Sequence, residues 1–207
     1  MHHRYVKTII PTPGQTYIFL SDTHLGSAFS NAGLLGRFLE ANSTMNTTFV
    51  FVGDIFDLWK LTPPQIRLKD HIKDGAKTIL LPGNHDYELM LMDDLCDKGI
   101  TDIVKFAFPD VGVMCLHGHQ TDTNFGDPFS WGLRLKDLLL YKLACWVGID
   151  FRNQLAWFRK LTDKHYSKSD HLKRLTQLSQ THGATVAITG HTHAAGIFVE
   201  TETNTTG

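Results

Sequence analysis

The chain predicts a layered α/β fold, and three observations carry that expectation. Short apolar runs, mostly β-branched or aromatic, recur along the sequence. Segments of helical character lie between several of them. Five runs stop abruptly in polar clusters, which is where an α/β sheet presents the carboxyl ends of its strands to a ligand.

In chain order, "YIFL" ends at Ser21-Asp22-Thr23-His24 and "TFVFV" at Gly53-Asp54. "TILL" ends at Pro82-Gly83-Asn84-His85, "VGVMCL" at His117-Gly118-His119, and "ATVAIT" at Gly190-His191-Thr192-His193. Each run has the length and composition of a buried strand. Helices are predicted from about Asn31 to Ala41, Pro64 to Lys73 and Tyr87 to Lys98. "DIVKFAFPDVGVMCL" predicts a hairpin turning at Pro109-Asp110.

The stretch from about 130 to 180 reads differently, as two or three helices without a strand. Its "LLLYKLACWV" is apolar nearly all round, broken only by Lys142. Residues 134–174 hold ten Lys or Arg against four Asp, a surplus of +6 that leaves −7 on the rest of the chain. A basic helical insertion within a single domain spanning 1–207 is expected. The tail "TETNTTG" is polar and expected to fray.

Composition sets the outer bounds. A chain of 207 residues suits one domain, and 42% hydrophobic residues suffice for a sizeable core. A net charge of −1 points to no partner by bulk electrostatics. Cys96, Cys115 and Cys145 are scattered, odd in number and without CxxC spacing, so they read as reduced, mostly buried thiols of a cytosolic protein. The sequence shows neither a signal-peptide pattern at its start nor 18 consecutive uncharged apolar residues. A cytoplasmic location is expected, with peripheral membrane contact through the basic helices as a further expectation.

Taken singly, the polar clusters are weak signals. Asp-x-His after a strand commonly serves as turn and cap, and Gly-Asp is ordinary turn chemistry. Gly-Asn-His-Asp and Gly-His-Thr-His are rarer words. The unmatched His71, His165, His171 and His182 read as surface residues. Together, however, five strand ends deliver Asp22, His24, Asp54, Asn84, His117, His191 and His193. Carboxylate, imidazole and amide donors suit Mn, Fe or Zn, and the absence of cysteine disfavours a thiolate zinc site. Seven donors exceed the needs of one ion with an open position. They suit two ions sharing a carboxylate, about 3.5–4 Å apart, as in many enzymes that hydrolyse phosphate esters.

The ordered set D-x-H, G-D-x-x-D, G-N-H-D, H and G-H-x-H, running from Asp22 to His193, resembles the calcineurin-like metallophosphoesterase superfamily. The resemblance implies a four-layer α/β/β/α sandwich with a helical insertion. It implies hydrolysis of a phosphoester or diphosphate bond by hydroxide bridging two divalent metal ions, Mn first, with Fe or Zn as the other choices. Asp22, His24 and His193 would hold the first ion, Asn84, His117 and His191 the second, and Asp54 both. His85 would face the phosphate and protonate the leaving oxygen, and Asp57 would orient His85. Asp86 is expected to tighten its turn or support the ligands, outside the chemistry.

"SDTHLGS", "GDIFDLW", "GNHDY" and "HGHQTD" further resemble the branch around the UDP-2,3-diacylglucosamine pyrophosphohydrolases, whose known members carry Arg at the position of His85 and Asp at that of His119. That branch implies a phosphate-containing, lipid-linked substrate. Arg152, Arg159 and Lys160 would meet phosphate, and Trp131, Leu138, Trp146 and Trp157 would meet acyl chains. Other readings stay open: a nucleic-acid or cyclic-nucleotide phosphodiesterase whose basic insertion tracks a phosphate backbone, or a non-catalytic scaffold of the same fold. The apolar helices would also be explained by packing on the core or on a partner subunit.

Overall fold

The computed structural model describes residues 6–28, 30–58, 67–87, 101–121 and 168–192, with 135, 139, 142, 143, 146 and 197 individually. Its elements are β1 (Val6–Ile9), β2 (Thr16–Leu20), α1 (Ala32–Asn42), β3 (Thr47–Val52), α2 (Leu68–His71), β4 (Lys77–Leu81), β5 (Ile103–Ala107), β6 (Gly112–Cys115), α3 (Lys168–Thr181) and β7 (Val186–Ile188). A 3-10 turn, His119–Thr121, follows β6.

Two sheets form, in the orders β2-β3-β4 and β1-β5-β6-β7. The first is wholly parallel. In the second, β5 and β6 make the expected antiparallel hairpin, closed by Phe108 N–H donating to Val111 O at 3.1 Å. β1 joins β5 and β7 joins β6 in parallel. The five apolar runs form β2, β3, β4, β6 and β7, the other arm of the expected hairpin forms β5, and β1 is an addition. The helix expected from Asn31 forms one residue later, with the Asn31 side chain accepting from Leu34 N–H at 3.3 Å as its N-cap. Of the helix expected over 64–73, the single turn of α2 is what the described residues show. The helix expected over 87–98 lies almost wholly outside them.

Residue parity explains the layering. Successive strand side chains point to opposite faces, so a run apolar at every position must be covered on both. Val50, Val52, Ile79 and Leu81 meet Val104, Phe106, Val113 and Cys115 between the two sheets. Their sequence neighbours Phe49, Phe51 and Leu80 point the other way, onto Ala32 and Leu39 of α1, with Leu68 of α2 alongside. On the far side, Ile103, Met114 and Leu116 pack against Leu175 and Leu178 of α3. The layers therefore run α1/α2, three-stranded sheet, four-stranded sheet, α3: the α/β/β/α order. Lys105 Nζ donates to His182 O at 2.6 Å and ties the C-terminal end of α3 to β5.

Cys115 lies between the sheets, and burial pushes its thiol up to about 12. The folded thiol thus stays protonated where an unfolded one ionises. This group's contribution to stability is complete below its ordinary value near 9 and is lost as the pH rises toward 12. Iodoacetamide at about pH 8 is expected to leave the Cys115 peptide unmodified in the native protein and to alkylate it in urea. Equal labelling in both, read by mass spectrometry, would contradict the packing of the two sheets.

Candidate metal centre

The carboxyl ends of β2, β3 and β4 share one edge, because the three strands are parallel. Those of β6 and β7 share an edge of the second sheet. The two edges are stitched together by polar contacts. His117, just past β6, places Nδ1 3.0 Å from Val52 O on β3. His191 N–H, past β7, donates to both oxygens of Asp22, at 3.1 and 3.2 Å. Asp22 N–H donates to Gly53 O at 3.1 Å, and His24 N–H to Asp54 O at 2.9 Å. Close approach demands missing side chains: a Cβ on Gly53 (φ +79°) would overlap the His117 ring, and one on Gly83 would overlap Asp54 Oδ1.

Among the described residues, those other than glycine with positive φ are Asp22, His24, Asp54 and His191, at 54°, 46°, 52° and 69°. All four are donors chosen from the sequence. The left-handed region costs such residues on the order of 1–3 kcal/mol each and persists where the surroundings over-determine it. The ligand-bearing loops are thus held in conformations that local preference would not choose.

Asp54 sits at the centre of the constellation. Its Oδ1 accepts from His85 N–H at 2.9 Å. Its Oδ2 lies 3.7 Å from His24 Nε2 and 3.3 Å from His117 Nε2. Two groups of donors, each gathered within 4.8 Å, share it: Asp22, Asp54 and His117, and His24, Asp54 and His85. Asn84 Oδ1 is 3.1 Å from His191 Nδ1. Burial opposes charging Asp54, yet His117 above all, then His85 and His24, hold it far below the usual carboxylate range. Burial likewise opposes charging His117, but Asp54 and Asp22 raise it to about 9.

These observations fit a metal centre. The Val52 carbonyl can only accept, so His117 Nδ1 carries a proton and Nε2 is the nitrogen turned toward Asp54. A buried imidazole nitrogen and a carboxylate oxygen 3.3 Å apart share a proton in the metal-free centre, as the raised His117 shows, and offer the same two donor atoms to a metal ion in its place.

Asp57 stands beside the pair of imidazoles at the mouth. Its Oδ1 is 3.0 Å from His85 Nδ1 and its Oδ2 is 3.8 Å from His24 Nδ1. The two rings meet edge to face, with centroids 4.8 Å apart. Asp86 is wholly buried and accepts four backbone N–H groups: Ile55 at 2.7 Å, Phe56 at 3.1 Å and Asp54 at 3.3 Å from one loop, and Gly83 at 2.6 Å from the other. Burial, then the Asp54 charge, raise its carboxyl to about 6.

The structure therefore brings together Asp22, His24, Asp54, Asp57, Asn84, His85, His117 and His191. His193 lies outside the described residues, as do Trp131, Leu138, Arg152, Trp157, Arg159 and Lys160. Trp146 is described and is highly exposed. Other contributors had been given no role from the sequence. The Ser21 hydroxyl lies 2.6 Å from Asp22 Oδ2 and also 2.6 Å from Val52 O, and mere adjacency to Asp22 was its only signal. His119 is buried with its ring centroid 5.6 Å from that of His117. His171, read from sequence as surface, is only 5% exposed and faces the turn after β6. Its burial follows from its place on the inner side of α3, which the motif spacing does not show.

An α/β/β/α sandwich that gathers carboxylate, imidazole and amide donors at the joined edges of both sheets has the build of a metal-dependent hydrolase. The chain belongs to the calcineurin-like phosphoesterase family, whose family model matches residues 16–195, and it is accordingly a phosphoester hydrolase. Among solved structures it is similar to a conserved uncharacterized protein, a predicted phosphoesterase, from Streptococcus pneumoniae TIGR4. That likeness is 16% in identity, covers 90% of this chain and 67% of the other, and has a TM-score of 0.40, too low to carry an argument. No curated protein matches the chain at a significant level. No helix among the described residues is long and apolar enough to cross a membrane.

Proposed function

We propose that the chain hydrolyses a phosphodiester or diphosphate bond with two divalent ions, Mn first and Fe or Zn as the other choices. The observation that carries this is the position of Asp54 Oδ2 between His24 Nε2 and His117 Nε2, with both donor groups including Asp54. Asp22, His24 and His193 would hold one ion, Asn84, His117 and His191 the other, and Asp54 both. Bound there, the ions would lower the pKa of a water between them and offset the charge of the phosphate.

The chain's own residues supply the rest. Asp57 accepts from His85 Nδ1–H, so Nε2 is the His85 nitrogen that would pass a proton to the leaving oxygen. Asp57 is buried while His85 keeps partial exposure, so the acid faces the substrate and its orienting carboxylate does not. His85→Ala is expected to retain two Mn²⁺ per chain by elemental analysis and to lose about 10²–10⁴-fold in turnover, more on poor leaving groups. Loss of an ion in that variant would make His85 a ligand, as its place in the His24 group allows.

For substrate, the motif resemblance supports a lipid-linked nucleoside diphosphate. Leu135, Leu139, Leu143 and Trp146 are helical and exposed by 56–85%, with exposed Lys142 beside them, which supplies apolar and cationic surface for acyl chains and phosphate. Peripheral contact with a membrane would follow from the same surface. The +6 surplus over 134–174 favours, as a second reading, a nucleic-acid backbone. A side-by-side assay of UDP-diacylglucosamine, a cyclic nucleotide, a phosphoprotein and single-stranded DNA tests both. Preferential cleavage of the lipid nucleotide is expected, and salt-sensitive cleavage of DNA alone would reverse the order.

A further inference from the structure

We infer that His171 of α3 is a positioning residue for the metal centre, acting through Thr121 on the loop that carries His117; the inference rests on the two-metal reading above.

His171 and Thr121 are each 5% exposed, and His171 Nδ1 lies 2.8 Å from Thr121 Oγ1. The Thr121 hydroxyl has one proton, and it goes to Gly118 O at 2.8 Å, the carbonyl that also accepts from Thr121 N–H at 3.0 Å. The hydroxyl oxygen must therefore accept from His171, which fixes the proton on Nδ1. On the same face of α3, one turn further along, Arg174 Nη1 donates to Thr121 O at 3.3 Å. The helix thus holds Thr121 by both its hydroxyl and its carbonyl.

Gly118, which receives the Thr121 hydrogen bonds, directly follows His117. Its φ is +112°, and a Cβ added there would lie 3.4 Å from His191 Cβ and 3.6 Å from His171 Cε1. The backbone at Gly118 therefore runs between a candidate ligand on one side and the α3 imidazole on the other. The His117 carbonyl is meanwhile held by Gly190 N–H at 3.0 Å. α3 is a firm base for this contact, since Leu175 and Leu178 are seated on the second sheet and Lys105 holds its end. A rigid helix, one imidazole, one hydroxyl and one carbonyl lead from α3 to the peptide that aims His117. Such outer partners of ligand loops typically change metal affinity when removed.

Calorimetric titration of Mn²⁺ into the metal-free chain tests this. The unmodified protein is expected to bind two ions. His171→Leu and Thr121→Val should each weaken one of them about 10–100-fold, leaving the other within about two-fold. Thr121→Ser, which keeps the hydroxyl, and His171→Asn, whose amide can still donate, should recover most of the affinity. The double variant His171→Leu/Thr121→Val should bind no worse than the weaker single variant, since both break one chain of contacts. If His171→Leu fails to fold, Thr121→Val decides. Variants that melt earlier yet bind both ions with unchanged affinity would overturn the positioning role and leave His171 a core residue. Failure of the unmodified chain to bind two ions would instead overturn the two-metal reading beneath it.

Discussion

Asp54→Asn is expected to abolish hydrolysis of an aryl phosphodiester in the presence of Mn²⁺, by about 10³-fold or more, or at least about 4 kcal/mol in the barrier. The substitution keeps the shape of the side chain and one oxygen. It removes the charge common to both donor groups and puts an N–H where a lone pair faces His24 and His117. The amide oxygen can still accept from His85 N–H, so the loop need not collapse. In the metal-free protein the change also removes one partner of the buried Asp54–His117 pair, which destabilises the fold. Lost turnover and lost Mn²⁺ with a lowered melting temperature of the metal-free chain is therefore the expected pattern. Undiminished turnover would sink the two-metal assignment.

The second large effect is on folding. Asp86→Ala should cost about 4 kcal/mol or more, because four backbone N–H groups, three of them in buried hydrogen bonds, lose their shared acceptor and each unsatisfied group costs about 1–3 kcal/mol where water cannot replace it. Asp86→Asn should do about half that damage, since one oxygen remains while the amide nitrogen is turned against N–H donors. The same carboxylate holds the loop after β3 to the turn after β4, so the alanine variant should also lose Mn²⁺. Urea unfolding measures the first effect and metal analysis the second. A variant within about 1 kcal/mol of the parent protein would show that the two loops hold each other without this clamp.

Much of this centre was legible because the family motifs are local. Asp22-x-His24, Gly53-Asp54-x-x-Asp57 and Gly83-Asn84-His85-Asp86 each lie on one strand-to-loop turn, and a strand ending in polar residues can be read without its neighbours. The two-faced apolar runs also announced sheets buried on both sides, and the structure lines both faces of β3 with apolar partners. β1 was missed because "VKTI" is short and half polar, and it gains its order from pairing with β5 some hundred residues later. His171 was misjudged for a related reason. One imidazole on a polar, basic helix carries no sign of the turn it will meet.

What the sequence by itself determined is the inventory: which donors exist, the strand ends that carry them, and the class of metal they suit. Each of those is a property of a few consecutive residues. Only the tertiary structure decided that Asp54 Oδ2 stands between imidazoles from two different sheets, that Asp57 serves His85 on one oxygen while facing His24 on the other, and that Asp86 joins two loops. Those relations depend on how two sheets stack and on backbone held at positive φ. Long-range packing fixes both, and no local propensity encodes them.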